Sequence, residues 1–324
     1  MLFFAFCGAL IFSEGAALAQ PAKKTVKIFG AGGLRGLEAY QTGILISGEG
    51  HILTTWSYVL DPSGTRIVTD SGERFDAKLV GYDPALEIAV LKADARGLPF
   101  FDLSTSVEPK TGSSIRAWSN CYGVATGDES VSVQQGTIAA MTNLNAKRGT
   151  WQVPWQGKVC VLDAITSNPG TSGGIITTTD GKPVALIGKE SRDRKTGSWL
   201  NYAIPFSELN DPIQRLLKAK PELDRKLSSR RSTESMTPTL LGFSLVADVV
   251  GKTPPFVEFT TIGGAAQLSG VTADDLIVDI NGFPVASCKD VRQILARVDR
   301  DAPVKLTLQR QSKFVTAELS LVQQ

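Results

Sequence analysis

The feature that most constrains this chain is a succession of short β-type runs with turn residues between them. Valine, isoleucine, leucine and threonine dominate the runs, and glycine, proline, aspartate and serine separate them. A polar stretch, Pro21–Lys27, precedes the first run. The predicted strands are Gly43–Ile46, Ile52–Thr55, Arg66–Val68, Ala77–Val80, Ile88–Leu91, Ser114–Ala117, Val131–Ala140, Val159–Leu162, Gly174–Thr178, Val184–Gly188 and Asn201–Ile204. Short strands at this spacing predict an all-β domain, and their number is enough for two small barrels.

The sequence changes character at Pro205. Leucine and isoleucine recur there at helical spacing, and the serine- and arginine-rich segment that follows has little to bury. We therefore predict a helix and linker over residues 209–238 and a small α+β domain over residues 239–324. The predicted strands of this domain are Phe243–Ala247, Phe256–Phe259, Leu276–Ile280, Val304–Gln309 and Val315–Leu321. Its predicted helix is Cys288–Val298.

The N-terminal segment has the pattern of an export signal. Its apolar run, Leu2–Phe12, is too short for the roughly 20 residues of a spanning helix, and Ala17-Leu18-Ala19 is typical of a cleavage site. We expect a signal peptide over residues 1–19 and an exported protein, periplasmic or secreted. An uncleaved anchor and a wrongly assigned start are the alternatives.

Composition excludes one class of partner and limits the chemistry. The 34 Lys and Arg residues against 32 Asp and Glu residues give a net charge of +2, too little for a nucleic-acid-binding surface. We expect no metal or cofactor. Beyond the signal segment Cys121, Cys160 and Cys288 remain, and for Cys121 and Cys160 buried free thiols are favoured over a single disulfide. The chain contains one histidine, His51, so any mechanism that needs an imidazole depends on it.

The most specific motif is the segment from Ser167 to Gly174, which reads Ser-Asn-Pro-Gly-Thr-Ser-Gly-Gly. A nucleophilic serine needs a tight turn that presents its hydroxyl and directs backbone N–H groups at a developing oxyanion. Glycines two residues before Ser172 and directly after it permit both. Taken alone, the segment is equally a glycine-rich structural loop.

Five segments in the same order together resemble the HtrA/Deg family of trypsin-like serine proteases, over roughly residues 40 to 208. They are Gly43–Thr55, Asp83–Lys92, Ala117–Gly123, Asn168–Gly174 and Tyr202–Pro205. The resemblance implies a chymotrypsin-like double β-barrel over residues 20–208 with a Ser-His-Asp triad. Ser172 then matches the nucleophile, and the N–H groups of Gly170 and Ser172 match the oxyanion hole.

The other two triad positions depart from the family pattern. Glu87 stands where the family has aspartate, and its extra methylene displaces the carboxylate by about 1.5 Å. Ser57 stands where the family has histidine. His51 lies six residues upstream, roughly 20 Å along an extended chain, and we expect it in an exposed turn.

A serine hydroxyl without a base is a weak nucleophile at neutral pH. The sequence therefore predicts a pseudoprotease that binds peptides or unfolded proteins without cleaving them. Two alternatives stay open: an active serine-type endopeptidase in protein quality control, and a non-catalytic scaffold subunit of an oligomer, homo-oligomeric or mixed.

The C-terminal domain resembles a PDZ domain of the permuted bacterial kind. Leu240-Leu241-Gly242-Phe243 is similar to the loop that binds the terminal carboxylate of a peptide, which adds as a strand. Val291 and Leu295 are the candidate lining of the groove beside the helix. Asp274-Asp275 departs from the usual Gly-Asp of this family. A small domain that acts only as a spacer is the alternative.

Overall fold

The structure is a computed structural model that describes residues 20–30, 40–57, 60, 65–121, 130–148, 151–218, 236–249, 253–285, 287–298, 300, 302–311 and 313–321. The described chain divides into two compact units, one up to residue 218 and one from residue 236. The predicted signal peptide and most of the predicted linker lie outside the described residues. Within the described residues, no helix is both long and apolar enough to cross a membrane.

Six antiparallel strands close the first barrel in the order β1-β2-β3-β6-β5-β4. They are β1 Thr25–Phe29, β2 Tyr40–Leu45, β3 His51–Thr55, β4 Thr65–Val68, β5 Arg74–Asp83 and β6 Ile88–Ala93. The apolar run Ile88–Leu91 is completely buried, because neighbouring structure covers both faces of β6. The predicted polar stretch is wrong at its end, since β1 includes Lys27, which is buried.

The second barrel closes in the order β11-β16-β13-β12-β7-β8. Its strands are β7 Ser114–Ser119, β8 Ser132–Asn143, β11 Lys158–Leu162, β12 Ile175–Thr178, β13 Pro183–Ile187 and β16 Tyr202–Pro205. A separate four-stranded sheet has β9 Ala146–Arg148, β10 Trp151–Gln152, β14 Ser191–Asp193 and β15 Trp199–Leu200. The two closed barrels confirm the predicted chymotrypsin-like all-β architecture.

The unit also contains the 3-10 turn Leu103–Thr105 and helix α1, Phe206–Lys218. Leu209 and Ile213 are buried at the predicted helical spacing. Leu216 lies close to Gly81 of β5, where a glycine lets the helix approach the barrel.

The second unit is the small α+β domain predicted from the sequence. Its elements are β17 Phe243–Leu245, β18 Val257–Thr260, α2 Ala265–Leu268, β19 Leu276–Ile280, β20 Phe283–Pro284, α3 Cys288–Leu295, β21 Val304–Arg310 and β22 Lys313–Leu319. β17 pairs with β18, and β19 to β22 form a four-stranded sheet in the order β20-β19-β21-β22. Met236, predicted to lie in the linker, is buried in the core of this unit.

Candidate functional site

The predicted nucleophile, Ser172, lies in a tight loop, Asn168–Gly174, that leads into β12; we call it the nucleophile loop. Gly170 and Gly173 have φ of 86° and 85°, in the left-handed region that favours glycine. A Cβ at Gly173 would lie 2.2 Å from the carbonyl oxygen of Thr42 and 2.4 Å from Oγ1 of Thr54. The loop therefore depends on glycine both for its conformation and for its close packing.

Thr42 of β2 holds the nucleophile loop in place through two hydrogen bonds and is itself bonded by a third from Asn120. Its Oγ1 donates to the carbonyl oxygen of Gly170 at 2.6 Å and accepts from the backbone N–H of Asn120 at 2.7 Å. Its backbone N–H donates to the carbonyl oxygen of Ser172 at 3.0 Å. A side chain of the first barrel thus fixes a loop of the second, as a site between two barrels requires.

The backbone N–H groups of the loop fall into two sets. Those of Thr171, Gly173 and Gly174 donate to backbone carbonyl oxygens at 3.0 to 3.2 Å. Among the described residues, the N–H groups of Gly170 and Ser172 have no acceptor. These two groups are the ones that the sequence resemblance assigns to an oxyanion hole, and unpaired donors at a tight turn are what such a site requires.

The Ser172 hydroxyl is bonded to a threonine. Its Oγ lies 2.6 Å from Oγ1 of Thr55, the last residue of β3. The buried amide of Gln41 donates at 2.7 Å both to Oγ1 of Thr54 and to the carbonyl oxygen of Thr55, and its Oε1 accepts at 2.5 Å from Oγ of Ser57. Ser57, at the predicted histidine position, is thus part of a network of neutral amide and hydroxyl groups.

Glu87 lies directly before β6 and adopts φ of 54°, an uncommon conformation for a residue with a side chain. Its side chain is 8% exposed, and its carboxylate accepts from two cations. The two terminal guanidinium nitrogens of Arg148 lie 2.7 and 3.2 Å from its oxygens, and Nζ of Lys189 lies at 3.1 Å. Lys189 also lies 5.7 Å from the ring centroid of Trp56. We call Glu87, Arg148 and Lys189 the buried ion cluster.

Burial and charge oppose each other in the buried ion cluster. Burial by itself would raise the pKa of Glu87, but the charges of Lys189 and Arg148 outweigh it and hold the pKa below the ordinary value. Burial lowers the pKa of Lys189, a change that the Glu87 charge opposes and the Arg148 charge reinforces. The carboxylate is therefore ionised at neutral pH and already paired.

His51 is far from this site. His51 is the first residue of β3, and Thr55, at the other end of the strand, contacts Ser172. His51 therefore lies about 13 Å along the strand from the residue that contacts Ser172. Its Nδ1 lies 2.7 Å from Oγ of Ser47. Burial lowers its pKa, and the nearby Lys92 charge lowers it further. The expectation of an exposed turn is wrong, because His51 is half-buried and paired in the barrel.

In the second unit, the predicted carboxylate loop is folded on itself. Leu241 is buried, Leu240 is 39% exposed, and Gly242 has φ of 79°. The N–H groups of three loop residues donate internally, Leu241 to Thr237 O at 3.1 Å, Gly242 to Thr239 O at 3.1 Å and Phe243 to Pro238 O at 3.0 Å. The loop thus has the predicted glycine turn, but its donors are engaged in the structure as it stands.

A cavity of about 400 Å³ lies beside this loop. The described residues that line it are Met236, Thr237, Pro238, Thr239, Phe243, Ser244, Leu245, Arg292 and Ala296. Val291 and Leu295, the predicted lining of the groove, are instead completely buried in the domain core. Helical geometry explains the correction, because Arg292 and Ala296 lie one position, about 100°, around the same helix.

The turn at Asp274 and Asp275 forms in the second unit. Asp274 takes the left-handed conformation, φ 67°, and Asp275 is buried and accepts a hydrogen bond from Nε of Arg310 at 2.7 Å, so the turn forms without the usual glycine.

Cys121 and Cys160 are both buried free thiols, as the sequence favoured. Burial, together with the Glu108 charge, raises the pKa of Cys160 to about 12, which makes it a poor nucleophile. No group of three potential metal ligands occurs among the described residues.

Five residues that shape the site make contacts that the sequence did not predict. They are Gln41, Thr42, Thr55, Arg148 and Lys189. Lys189 directly follows a predicted strand that ends near the nucleophile loop, which was a usable signal. Arg148 lies on a three-residue strand 61 positions from Glu87, and nothing local in the sequence connects the two.

Comparison with known families agrees with this geometry. The trypsin-like peptidase domain family matches residues 41–186, and the PDZ domain family matches residues 231–309. The protein is thus of the class in which a trypsin-like peptidase domain precedes a PDZ domain.

Individual relatives are proteases of the DegP, DegS and HtrA types by name. A probable periplasmic serine endoprotease, DegP-like, of Chlamydia muridarum is 24% identical over 293 residues, covering 87% of this chain and 54% of its own length. The serine endoprotease DegS of Salmonella typhimurium is 23% identical over 292 residues, which are 86% of this chain and 76% of DegS. The solved structure of the HtrA-type protease AlgW with a tripeptide has the same fold, with a TM-score of 0.52 and 20% sequence identity. The match covers 95% of this chain and 96% of the AlgW chain. In its sequence, its domain order and its fold, the chain is similar to HtrA-type trypsin-like proteases with a C-terminal PDZ domain.

Proposed function

We propose that this protein is a pseudoprotease of the HtrA family that binds peptides or unfolded proteins without cleaving them. The observation that carries the proposal is the pairing of the groups that hydrolysis would use. The Ser172 hydroxyl is hydrogen-bonded to the Thr55 hydroxyl, and the Glu87 carboxylate forms ion pairs with Arg148 and Lys189. The single histidine of the chain lies at the opposite end of β3.

A triad works because an imidazole takes the proton of the serine hydroxyl while a carboxylate orients that imidazole. Here a threonine hydroxyl contacts Ser172, and a threonine is far too weak a base to take its proton at neutral pH. The two unpaired N–H groups of Gly170 and Ser172 support binding of a carbonyl oxygen without activating the nucleophile. Binding without turnover is the chemistry that this arrangement favours.

Labelling with a fluorophosphonate tests this proposal, because the reagent reacts with activated serines. We expect no labelling of the full-length protein and no turnover of unfolded casein, with trypsin as the positive control. The Ser172→Ala variant gives the background. Stoichiometric labelling that disappears in Ser172→Ala would overturn the proposal.

One rival activity has a specific observation behind it. The DegP-like and DegS relatives are named serine endoproteases, and the nucleophile loop keeps two unpaired amides. An active endopeptidase with an unrecognised base would label Ser172 in the same experiment, so a single measurement separates the two functions.

Location and assembly remain part of the proposal. Relatives named periplasmic support an exported protein, which agrees with the signal pattern in residues 1–19. A PDZ domain supports capture of peptide C-termini as the mode of binding. The scaffold alternative predicts a stable oligomer that binds no peptide, and light scattering combined with peptide titration distinguishes it.

A further inference from the structure

The carboxylate loop of the PDZ domain offers no obvious donors to a peptide terminus. The N–H groups of residues 241, 242 and 243 all donate to carbonyl oxygens of residues 237–239. Leu240 N–H also donates, to Oγ1 of Thr237 at 3.2 Å. A terminal carboxylate that bound here through backbone amides alone would first have to break these hydrogen bonds.

A cation stands in the same cavity. Of the described residues that line it, Arg292 is the only charged one. The side chain of Arg292 is 50% exposed, and one guanidinium nitrogen donates to Oδ2 of Asp248 at 2.8 Å. A guanidinium has five N–H donors, and the others of Arg292 have no acceptor among the described residues.

The neighbouring strand is placed to hold a peptide next to this cation. The backbone groups of Gly242 and Val246 bond toward β18, since Thr261 N–H donates to Gly242 O and Val246 N–H donates to Phe256 O. Alternation along a strand therefore turns the backbone of Phe243 and Leu245 toward the cavity side. Met236, Phe243 and Leu245 provide apolar walls for a terminal side chain.

We propose that the Arg292 guanidinium, rather than the backbone loop, holds the C-terminal carboxylate of a bound peptide with an apolar last residue. The inference rests on the proposed peptide-binding function. A guanidinium presents paired donors that match both oxygens of a carboxylate. Asp248 is the internal anion that keeps Arg292 oriented and competes with the peptide for it.

Fluorescence anisotropy with the full-length protein tests the assignment. The probe is a fluorescein-labelled octapeptide of glycine, serine and alanine that ends in valine, prepared as the free acid and as the C-terminal amide. We expect the acid to bind at least tenfold more tightly than the amide. Arg292→Gln should weaken the acid at least tenfold and bring the acid-to-amide ratio near one, whereas Asp248→Asn should strengthen the acid several-fold.

Arg297→Gln is the matched control, because it removes the same charge from an exposed position near the end of the same helix. It should leave both affinities unchanged, and the urea midpoints of all variants verify that they fold. Arg292→Gln with an unchanged acid-to-amide ratio would overturn the assignment in favour of the backbone loop. Equal binding of acid and amide to the unaltered protein would overturn it while leaving peptide binding in place. Binding of neither peptide would remove both this assignment and the proposed PDZ function.

Discussion

The two walls of the candidate site differ in how they are built. The nucleophile loop has left-handed glycines, two unpaired amides and a threonine that holds it in place. The opposite wall is filled by a neutral network around Gln41 and by the buried ion cluster around Glu87. A buried polar group without a partner is destabilising. At the predicted histidine and aspartate positions, the side chain of Ser57 is hydrogen-bonded to Gln41, and that of Glu87 is hydrogen-bonded to Arg148 and Lys189.

Removing the Glu87 charge should break this wall and is the largest effect that we expect. Glu87→Gln leaves Lys189 buried beside Arg148 without a counter-charge, and loss of one partner of a buried ion pair lowers the free energy of unfolding by about 3 to 5 kcal/mol. Urea unfolding measures it. Glu190→Gln is the matched control, since burial raises the pKa of Glu190 and its loss should change stability by less than about 1 kcal/mol. Equal losses in the two variants would contradict the assigned role of the cluster.

Gly173→Ala should disturb the nucleophile loop by a smaller amount. The variant adds left-handed strain and places Cβ against Thr42 and Thr54, which together cost about 2 to 4 kcal/mol. Gly97→Ala isolates the strain, because Gly97 has φ of 71° and open space around it, and should cost about 1 kcal/mol. If urea unfolding gives the same value for both, close packing of the loop is not what requires glycine.

Acid should reveal the pairing of Glu87. Because the folded pKa of Glu87 is lowered, its contribution to stability is complete above the ordinary glutamate pKa of about 4.3 and is lost as the pH falls through the folded pKa. The difference in unfolding free energy between the unaltered protein and Glu87→Gln should therefore shrink from pH 6 to pH 3. A difference that stays constant over this range would show that Glu87 is not selectively stabilised in its charged form.

The smallest expected effect is that of restoring a histidine. Ser57→His alone should give no fluorophosphonate labelling above background. Gln41 is hydrogen-bonded to residue 57 in the present structure, and the Glu87 carboxylate is already paired with Arg148 and Lys189. The matched comparison is Ser57→His combined with Lys189→Gln, which frees one side of the carboxylate. Labelling of Ser172 by the single variant would show that the missing imidazole is the only obstacle.

The sequence predicted the frame of this site better than its contacts. The glycines of the nucleophile loop and the buried run after Glu87 have local signatures, because turn conformation and strand burial depend on neighbouring residues. Arg148 and Gln41 have none, since Arg148 bonds a residue 61 positions away and Gln41 bonds a residue 16 positions away, beyond the end of the neighbouring strand. The groove of the PDZ domain was misassigned by one helix position for a similar reason: amphipathic spacing identifies the buried face, and the cavity lies beside that face.

The two unpaired amides of the nucleophile loop couple ligand occupancy to heat resistance. A ligand that places an oxygen on the N–H groups of Gly170 and Ser172 binds the folded protein and not the unfolded chain. By linkage, such a ligand at 100 times its dissociation constant adds about 2.7 kcal/mol of stability. The melting temperature of this protein thus reports on whatever occupies the loop, even when no bond is cleaved and no product is released.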